Sequence, residues 1–461
     1  MPPASAAPPR IAGHRAAVSG WGGGERSMVL LARPAGIDAL REAIVQAGSR
    51  GAIARGLGRS YGDAAQVTDG CVLETSQLKR FGLDEHRGTV TAQAGVTIGE
   101  LLAELIPAGF MVPVVPGTQH VTVGGAIASD IHGKNHGVAG TFGSHVQALG
   151  LLTAAGELLE LEPGAGDGLF EATVGGMGLT GVILWARITL RAVSTPLVSV
   201  DSDRVDGLDE ALAALSAPGG PHRVAWLDLL SSRPGRGVVT RAEHLAAAAE
   251  TETERERGGG TVRARMTVPS RYASWLLREP TVRLHNELRF RRAPRRERGR
   301  VMSIGEHMFP LDVLDGWPAL YGRRGFVQYQ LAVPAGEERA LAEVIEALRR
   351  AAVPCFLAVL KDFGEANDDP LSFPIPGWTL ALDLPRAAGS LEPALARCDR
   401  LVAEAGGRVY LSKDARLAPE AVAAMYPRLR EWQAVRERVD PDRLWRSDLA
   451  LRTGLVPGAE R

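Results

Sequence analysis

Apolar positions over residues 37–47 recur at helical spacing and stop at Gly48, so the pattern predicts an early amphipathic helix. Residues 52–55 follow as a short strand that runs straight into a glycine-rich turn. A strand at 89–94 precedes a second amphipathic helix at 98–106, closed by Pro107 and Gly109. Residues 146–153 and 158–161 read as strands joined by the turn Ala154-Ala155-Gly156-Glu157. A helix at 169–173 and a strand at 182–190 complete this part.

After Thr195-Pro196 the character changes. Longer strands are expected at 224–230, 326–333, 356–360 and 378–384, with covering helices at 337–350 and 391–405. Strands with helices on one side suggest an α+β second domain. The last fifty residues should hold two short helices. Residues 235–260 and 289–300 read as mobile loops; the second carries seven arginines, a solvated loop or an anionic-surface contact.

Composition narrows the function. The 461 residues suffice for two or three domains, and 45% hydrophobic content allows a large core. A formal net charge of zero argues against a nucleic-acid partner. Cys71, Cys355 and Cys398 are odd in number and widely spaced, which fits a reducing compartment without a disulfide framework. Residues 1–12 lack the charged start and apolar centre of a signal peptide and read as a disordered tail. No apolar run is long enough to span a bilayer, so the expected location is the cytoplasm or the membrane surface.

The candidate chemistry lies in two glycine-rich stretches. The first is Arg55-Gly56-Leu57-Gly58-Arg59-Ser60-Tyr61-Gly62-Asp63. The second runs through Gly117 and Thr122-Val123-Gly124-Gly125 to Ser129-Asp130-Ile131-His132-Gly133-Lys134. Bare backbone can approach a large anionic cofactor, and turns of this kind aim several N–H groups at one phosphate. Gly176-Met177-Gly178-Leu179-Thr180-Gly181 matches a dinucleotide fingerprint in letters only, because the expected helix precedes it and the strand follows. His120, His132, His136 and His145 lie close in sequence but lack the spacing and partners of a metal site, and no metal is expected. A histidine in such a loop suits hydrogen bonding or acid–base work.

Only four of the 53 basic residues are lysine. Lys79 beside Arg80 reads as surface. Lys134, Lys361 and Lys413 stand in or beside motifs, where a compact, titratable ammonium has uses that a guanidinium lacks. Strand alternation puts Thr379, Ala381 and Asp383 on one face and Gln328 with Gln330 on another, a polar surface suited to a hydroxyl-rich ligand or simply to solvent.

In these motifs the chain resembles the flavoprotein oxidase subunits of decaprenylphosphoryl-β-D-ribose 2-epimerases, within the vanillyl-alcohol-oxidase class. The likeness is closest at 51–63, 116–143, 172–181, 370–378 and 406–416 and covers nearly everything after the tail. It implies a two-domain, PCMH-type FAD-binding α+β fold with an inserted substrate domain built on an antiparallel sheet. The implied FAD domain is 13–196, the substrate domain 197–406, and residues 407–461 return to the first. Carried over by motif, Arg55–Asp63 by number 55–63, Gly117, 122–125, 129–132, Ile183 and Tyr410 would line FAD. Tyr61, Lys134, Trp226, Gln328, Gln330, Lys361, Thr379, Ala381 and Asp383 would face substrate.

The implied reaction oxidises the ribose 2-hydroxyl of a polyprenyl-phosphate sugar. An NADH-dependent reductase partner then returns the ketone with inverted configuration, supplying the arabinose donor of the cell wall. Lys413 is the first candidate for moving the hydroxyl proton and His132 the second. Membrane contact is expected because the lipid stays in the bilayer. A soluble alditol or aldonolactone oxidase, or a flavin-binding protein without catalysis, is the alternative. Relatives that attach FAD covalently use a histidine where this chain has Arg59, so non-covalent FAD is expected. Mycobacterial members carry cysteine at the position of Ala381, asparagine at Thr379 and tyrosine at Met308. That cysteine is the one trapped by nitroaromatic benzothiazinones after the flavin reduces them.

Overall fold

The structure is a computed structural model and describes residues 13–246, 259–268 and 277–457. The expected tail at 1–12 lies outside the described residues, as does 247–258 of the expected loop.

The N-terminal half forms two sheets. Gly13–Val18, Ser27–Ala32, Cys71–Glu74 and Ala52–Arg55 make a four-stranded sheet whose last two pairings are parallel. Phe81–Asp84, Thr89–Gln93, Val182–Thr189, Val146–Leu152 and Leu158–Leu161 make a five-stranded antiparallel sheet. The helix Ile98–Leu105 begins at Thr97, whose hydroxyl accepts the Glu100 N–H while the Glu100 carboxylate accepts from Thr97 N. This reciprocal cap is worth roughly 1 kcal/mol.

The middle of the chain builds one eight-stranded antiparallel sheet. Its order is Arg296–Ser303, Leu197–Val205, Arg236–His244, His222–Asp228, Leu357–Phe363, Gly377–Pro385, Phe326–Pro334 and Arg408–Val409. The helices Glu338–Arg350 and Leu391–Glu404 pack against each other and over one face of this sheet. Leu341, Val344, Ile345 and Leu348 form the buried stripe of the first helix, each contributing roughly 1.5–3 kcal/mol by leaving water. With one face covered, the opposite face is left for a ligand.

Four expectations need correction. The segment 289–300 is no loop: it spans the end of the helix Glu279–Arg292 and most of the edge strand Arg296–Ser303. Acidic neighbours explain the order, since Arg298 pairs with Asp203 at 2.6 Å and Arg291 with Glu287 at 2.5 Å. Within 235–260, Arg236–His244 is a central strand. The C-terminal region holds three helices, Pro419–Met425, Leu429–Val439 and Asp448–Thr453, and its opening strand Arg408–Val409 still belongs to the middle sheet, beyond the expected boundary at 406.

Candidate active site

A cavity of about 600 Å³ lies where the N-terminal half meets the open face of the large sheet. The two glycine-rich stretches supply one wall. Gly56 packs so closely on Thr122 that a Cβ would come within 2.3 Å of its hydroxyl oxygen, which ties the two turns together. Gly58 has φ +62°, a conformation that favours glycine. Arg55 donates to the carbonyls of Ala65 and Ser19 at 2.9 and 2.8 Å and so braces the first turn. Arg59 stacks 3.8 Å over Trp21, and its buried Nε has no partner among the described residues.

Leu57, Ser60, Tyr61, Gly117, Thr122, Gly124, Gly125, Ser129, Ile131, His132, Ile183 and Tyr410 also line this cavity. Arg59 donates through Nη1 to the Leu57 carbonyl at 3.0 Å, but it has no ion pair among the described residues. A guanidinium with a free Nε beside bare backbone suits an anionic cofactor, and the apolar wall of Ala94, Val121, Met177 and Ile183 suits flat rings. The residues present therefore fit FAD.

Four residues expected at the cofactor do not reach the cavity. Gly62 abuts the Asp414 carbonyl, where a Cβ would sit at 1.8 Å. Asp63 pairs with Arg452 at 2.8 Å, and Arg452 also holds Asp414 at 2.9 Å. Both residues join the first turn to the C-terminal segment. Val123 is buried in the core. Asp130, fully buried, accepts from Gly143 N at 3.0 Å, Asn367 at 2.8 Å and Ser372 at 2.6 Å, and orders the loop behind the wall.

The opposite wall carries Lys134, Trp226, Gln328, Gln330, Lys361, Ala381 and Lys413. Thr379 and Asp383, expected beside them, stand behind as supports. Gln330 Nε2 donates to Thr379 Oγ1 at 3.1 Å and to His132 Nε2 at 2.9 Å, while Thr379 donates to the Leu331 carbonyl at 2.8 Å. With its Nε2 accepting, His132 carries its proton on Nδ1, 3.0 Å from Lys361 Nζ. That bond needs a neutral lysine acceptor. Burial, with repulsion from Lys134 and Lys413, brings the Lys361 pKa down to about 7. Asp383 accepts from Gln328 at 2.7 Å and holds that amide toward the cavity.

Lys413 Nζ lies 3.8 Å over the Tyr61 ring. Burial lowers its pKa to about 7, against the attraction of the Asp383 carboxylate. Lys134 is likewise lowered to about 7 by burial, and its ammonium donates to the His307 carbonyl. Lys79, by contrast, makes a surface ion pair with Glu100 at 2.6 Å. His120 also lines the cavity, but His136 and His145 do not, and no metal-capable cluster occurs among the described residues.

Sequence reasoning did not place Arg289, His307, Trp317 or the Met177–Gly178 turn in the wall. The glycine run at 176–181 was a usable signal. Arg289 was hidden because its helix shows no apolar stripe to separate it from a polar loop.

The FAD binding domain family matches residues 29–162, and the D-arabinono-1,4-lactone oxidase family matches 391–453. The chain is 39% identical to the decaprenylphosphoryl-β-D-ribose oxidase of Mycolicibacterium smegmatis over 95% of this chain and 97% of the relative. It is 38% identical to an uncharacterized protein of Streptomyces coelicolor over 78% of this chain and all of that relative. Identity to an L-gulono-1,4-lactone dehydrogenase of Mycobacterium tuberculosis is 25% over 92% of this chain and 95% of the relative. An α+β flavoprotein with a glycine-rich cavity wall that fits FAD and a polar constellation opposite it, this chain belongs to the decaprenylphosphoryl-β-D-ribose oxidase family of FAD-dependent oxidoreductases acting on CH–OH groups.

Proposed function

We propose that this protein oxidises the 2-hydroxyl of a polyprenylphosphoryl-β-D-ribose to the 2-ketone. The observation that carries this reading is the cavity floor. It starts at Gln330, Lys361 and Ala381 and turns apolar through Val359, Trp226, Val238 and Val200. A polar end and an apolar end in one trough match a sugar joined to a lipid, whereas a free lactone would leave the apolar half without a partner.

FAD, when bound, supplies the hydride acceptor and leaves the protein to handle the proton. Loss of hydride from C2 requires the hydroxyl proton to go elsewhere, and we assign it to the neutral amine of Lys413. Both ring nitrogens of His132 are already engaged, so it holds Lys361 and Gln330 in place instead. Arg59 stands where covalent attachment would need an imidazole, so FAD is held non-covalently. The ketone product calls for a separate NADH-dependent reductase to complete the epimerisation.

Exposed Leu284 and Leu288, with Arg283, Arg291 and Arg292 on the same helix, give a surface beside the cavity for an anionic membrane. The test is anaerobic mixing of flavin-loaded enzyme with farnesylphosphoryl-β-D-ribose, L-gulono-1,4-lactone or xylitol, using flavin first shown to be released by acid precipitation. Bleaching by the phosphoryl ribose alone is expected. Bleaching by the lactone or xylitol but not by the phosphoryl ribose would transfer the protein to the soluble oxidases.

A further inference from the structure

We propose that Arg289, stacked on Trp226, is the phosphate-recognition residue of this site and receives the anionic phosphodiester between sugar and lipid. The inference rests on the substrate class just proposed and adds the residue that selects it.

The large sheet provides the ruler. Gln330 pairs with Ala381, Ala381 with Val359, and Val359 with Trp226, so four cavity-lining residues form one row across four strands. Gln330 marks the reactive end, where it bonds His132. Adjacent strands lie about 4.8 Å apart, so Trp226 stands roughly 10 Å from Ala381 along the row. A pentose placed over Ala381 would carry its anomeric phosphate toward Trp226. Beyond Trp226 the row continues to Val238, which is apolar and suited to the first isoprene units. The change from sugar to lipid chemistry therefore falls at Trp226.

That is where the cation stands. The Arg289 guanidinium lies 4.2 Å from the Trp226 ring centroid, at the exposed rim of the cavity. Arg283 on the same helix pairs with Glu279, Arg291 with Glu287, and Arg298 on the next strand with Asp203. Arg292 and Arg295 have no ion pair among the described residues, but neither lines the cavity. The Arg289 side chain has no ion pair and no hydrogen bond among the described residues. Contact with the Trp226 ring holds the guanidinium at the rim while its N–H groups stay free of partners among the described residues, which suits bidentate binding of a phosphate. The glycine turns of the cofactor wall come from the other half of the molecule, so the FAD diphosphate does not account for Arg289.

Farnesyl phosphate tests the assignment without any turnover, and farnesol is its neutral control. Binding to the flavin-loaded enzyme and to Arg289→Ala is measured by calorimetry, with flavin absorbance and Tm confirming that the variant folds. The expected result is a loss of about tenfold or more in affinity for farnesyl phosphate, with farnesol unchanged. Arg289→Lys should recover part of the loss, since it restores charge without the planar fork. Equal loss for both ligands, or no loss for either, overturns the proposal. Bleaching by farnesylphosphoryl ribose reports separately on the reaction. Its failure alongside an Arg289-dependent preference for phosphate would sink sugar oxidation and leave the phosphate site standing.

Discussion

At the scale of single residues, the site concentrates its chemistry in lysines whose charge is suppressed. In the role proposed for it, Lys413 would accept the substrate proton only as a neutral amine. With its pKa near 7, the neutral fraction grows as pH rises through that value, so single-turnover flavin reduction should accelerate from about pH 6 to pH 8. Lys413→Ala should keep its flavin, slow reduction by roughly a hundredfold and lose this pH limb. A rate that falls with rising pH would instead make the ammonium the working form.

Ala381 offers a second residue-scale test. Its methyl group lies in the cavity wall between Val359 and Gln330, and it cannot act as a nucleophile. The three cysteines are free and buried, and none lines the cavity; burial raises the thiol pKa of each. A nitroaromatic benzothiazinone turned over by this enzyme should therefore leave its intact mass unchanged, while Ala381→Cys should gain one covalent adduct. An adduct on the native protein, or none on the variant, would mean that this strand position has been matched wrongly.

At the scale of elements, the helix Glu279–Arg292 would serve both proposed roles, phosphate recognition and membrane contact, on different sides. Arg289 turns to the cavity, and Leu284 and Leu288 face solvent, 59% and 42% exposed. Two leucines one turn apart amid arginines can sink into a headgroup layer while the cations meet anionic lipid. Co-sedimentation with vesicles containing phosphatidylglycerol should fall several-fold in Leu284→Asp/Leu288→Asp, and oxidation of a water-soluble short-chain substrate should not change. Unaltered sedimentation would remove this helix from the membrane contact. The same helix shows why element reading from sequence fell short here. Its order comes from Glu287 and Asp228 gripping Arg236, and from Phe290 against Arg204 and Arg236, contacts with strands remote in the chain. Elements with their own apolar period, such as Glu338–Arg350, were legible because burying that stripe is what forms them.

At the scale of the whole molecule, the active site exists only where distant segments close on one another. Tyr61 N donates to the Ser412 carbonyl at 3.0 Å, and Tyr410 donates to the Ser129 carbonyl at 2.6 Å. Through these joints the C-terminal segment carries Lys413 over the first glycine turn. The sequence by itself determined the local chemistry: glycine turns that leave backbone bare, three lysines kept among arginines, and an alternating strand that presents Gln328 and Gln330 together. Each is a property of neighbouring residues and their dihedrals. Which residues reach the cavity was decided by tertiary structure. Asp63, Asp130, Thr379 and Asp383 sit inside the right motifs, yet each turns away to Arg452, to buried N–H and O–H donors or to a glutamine side chain. Buried polar groups must find partners, and those partners lie from about thirteen to nearly four hundred residues away in the chain, beyond the reach of any local pattern.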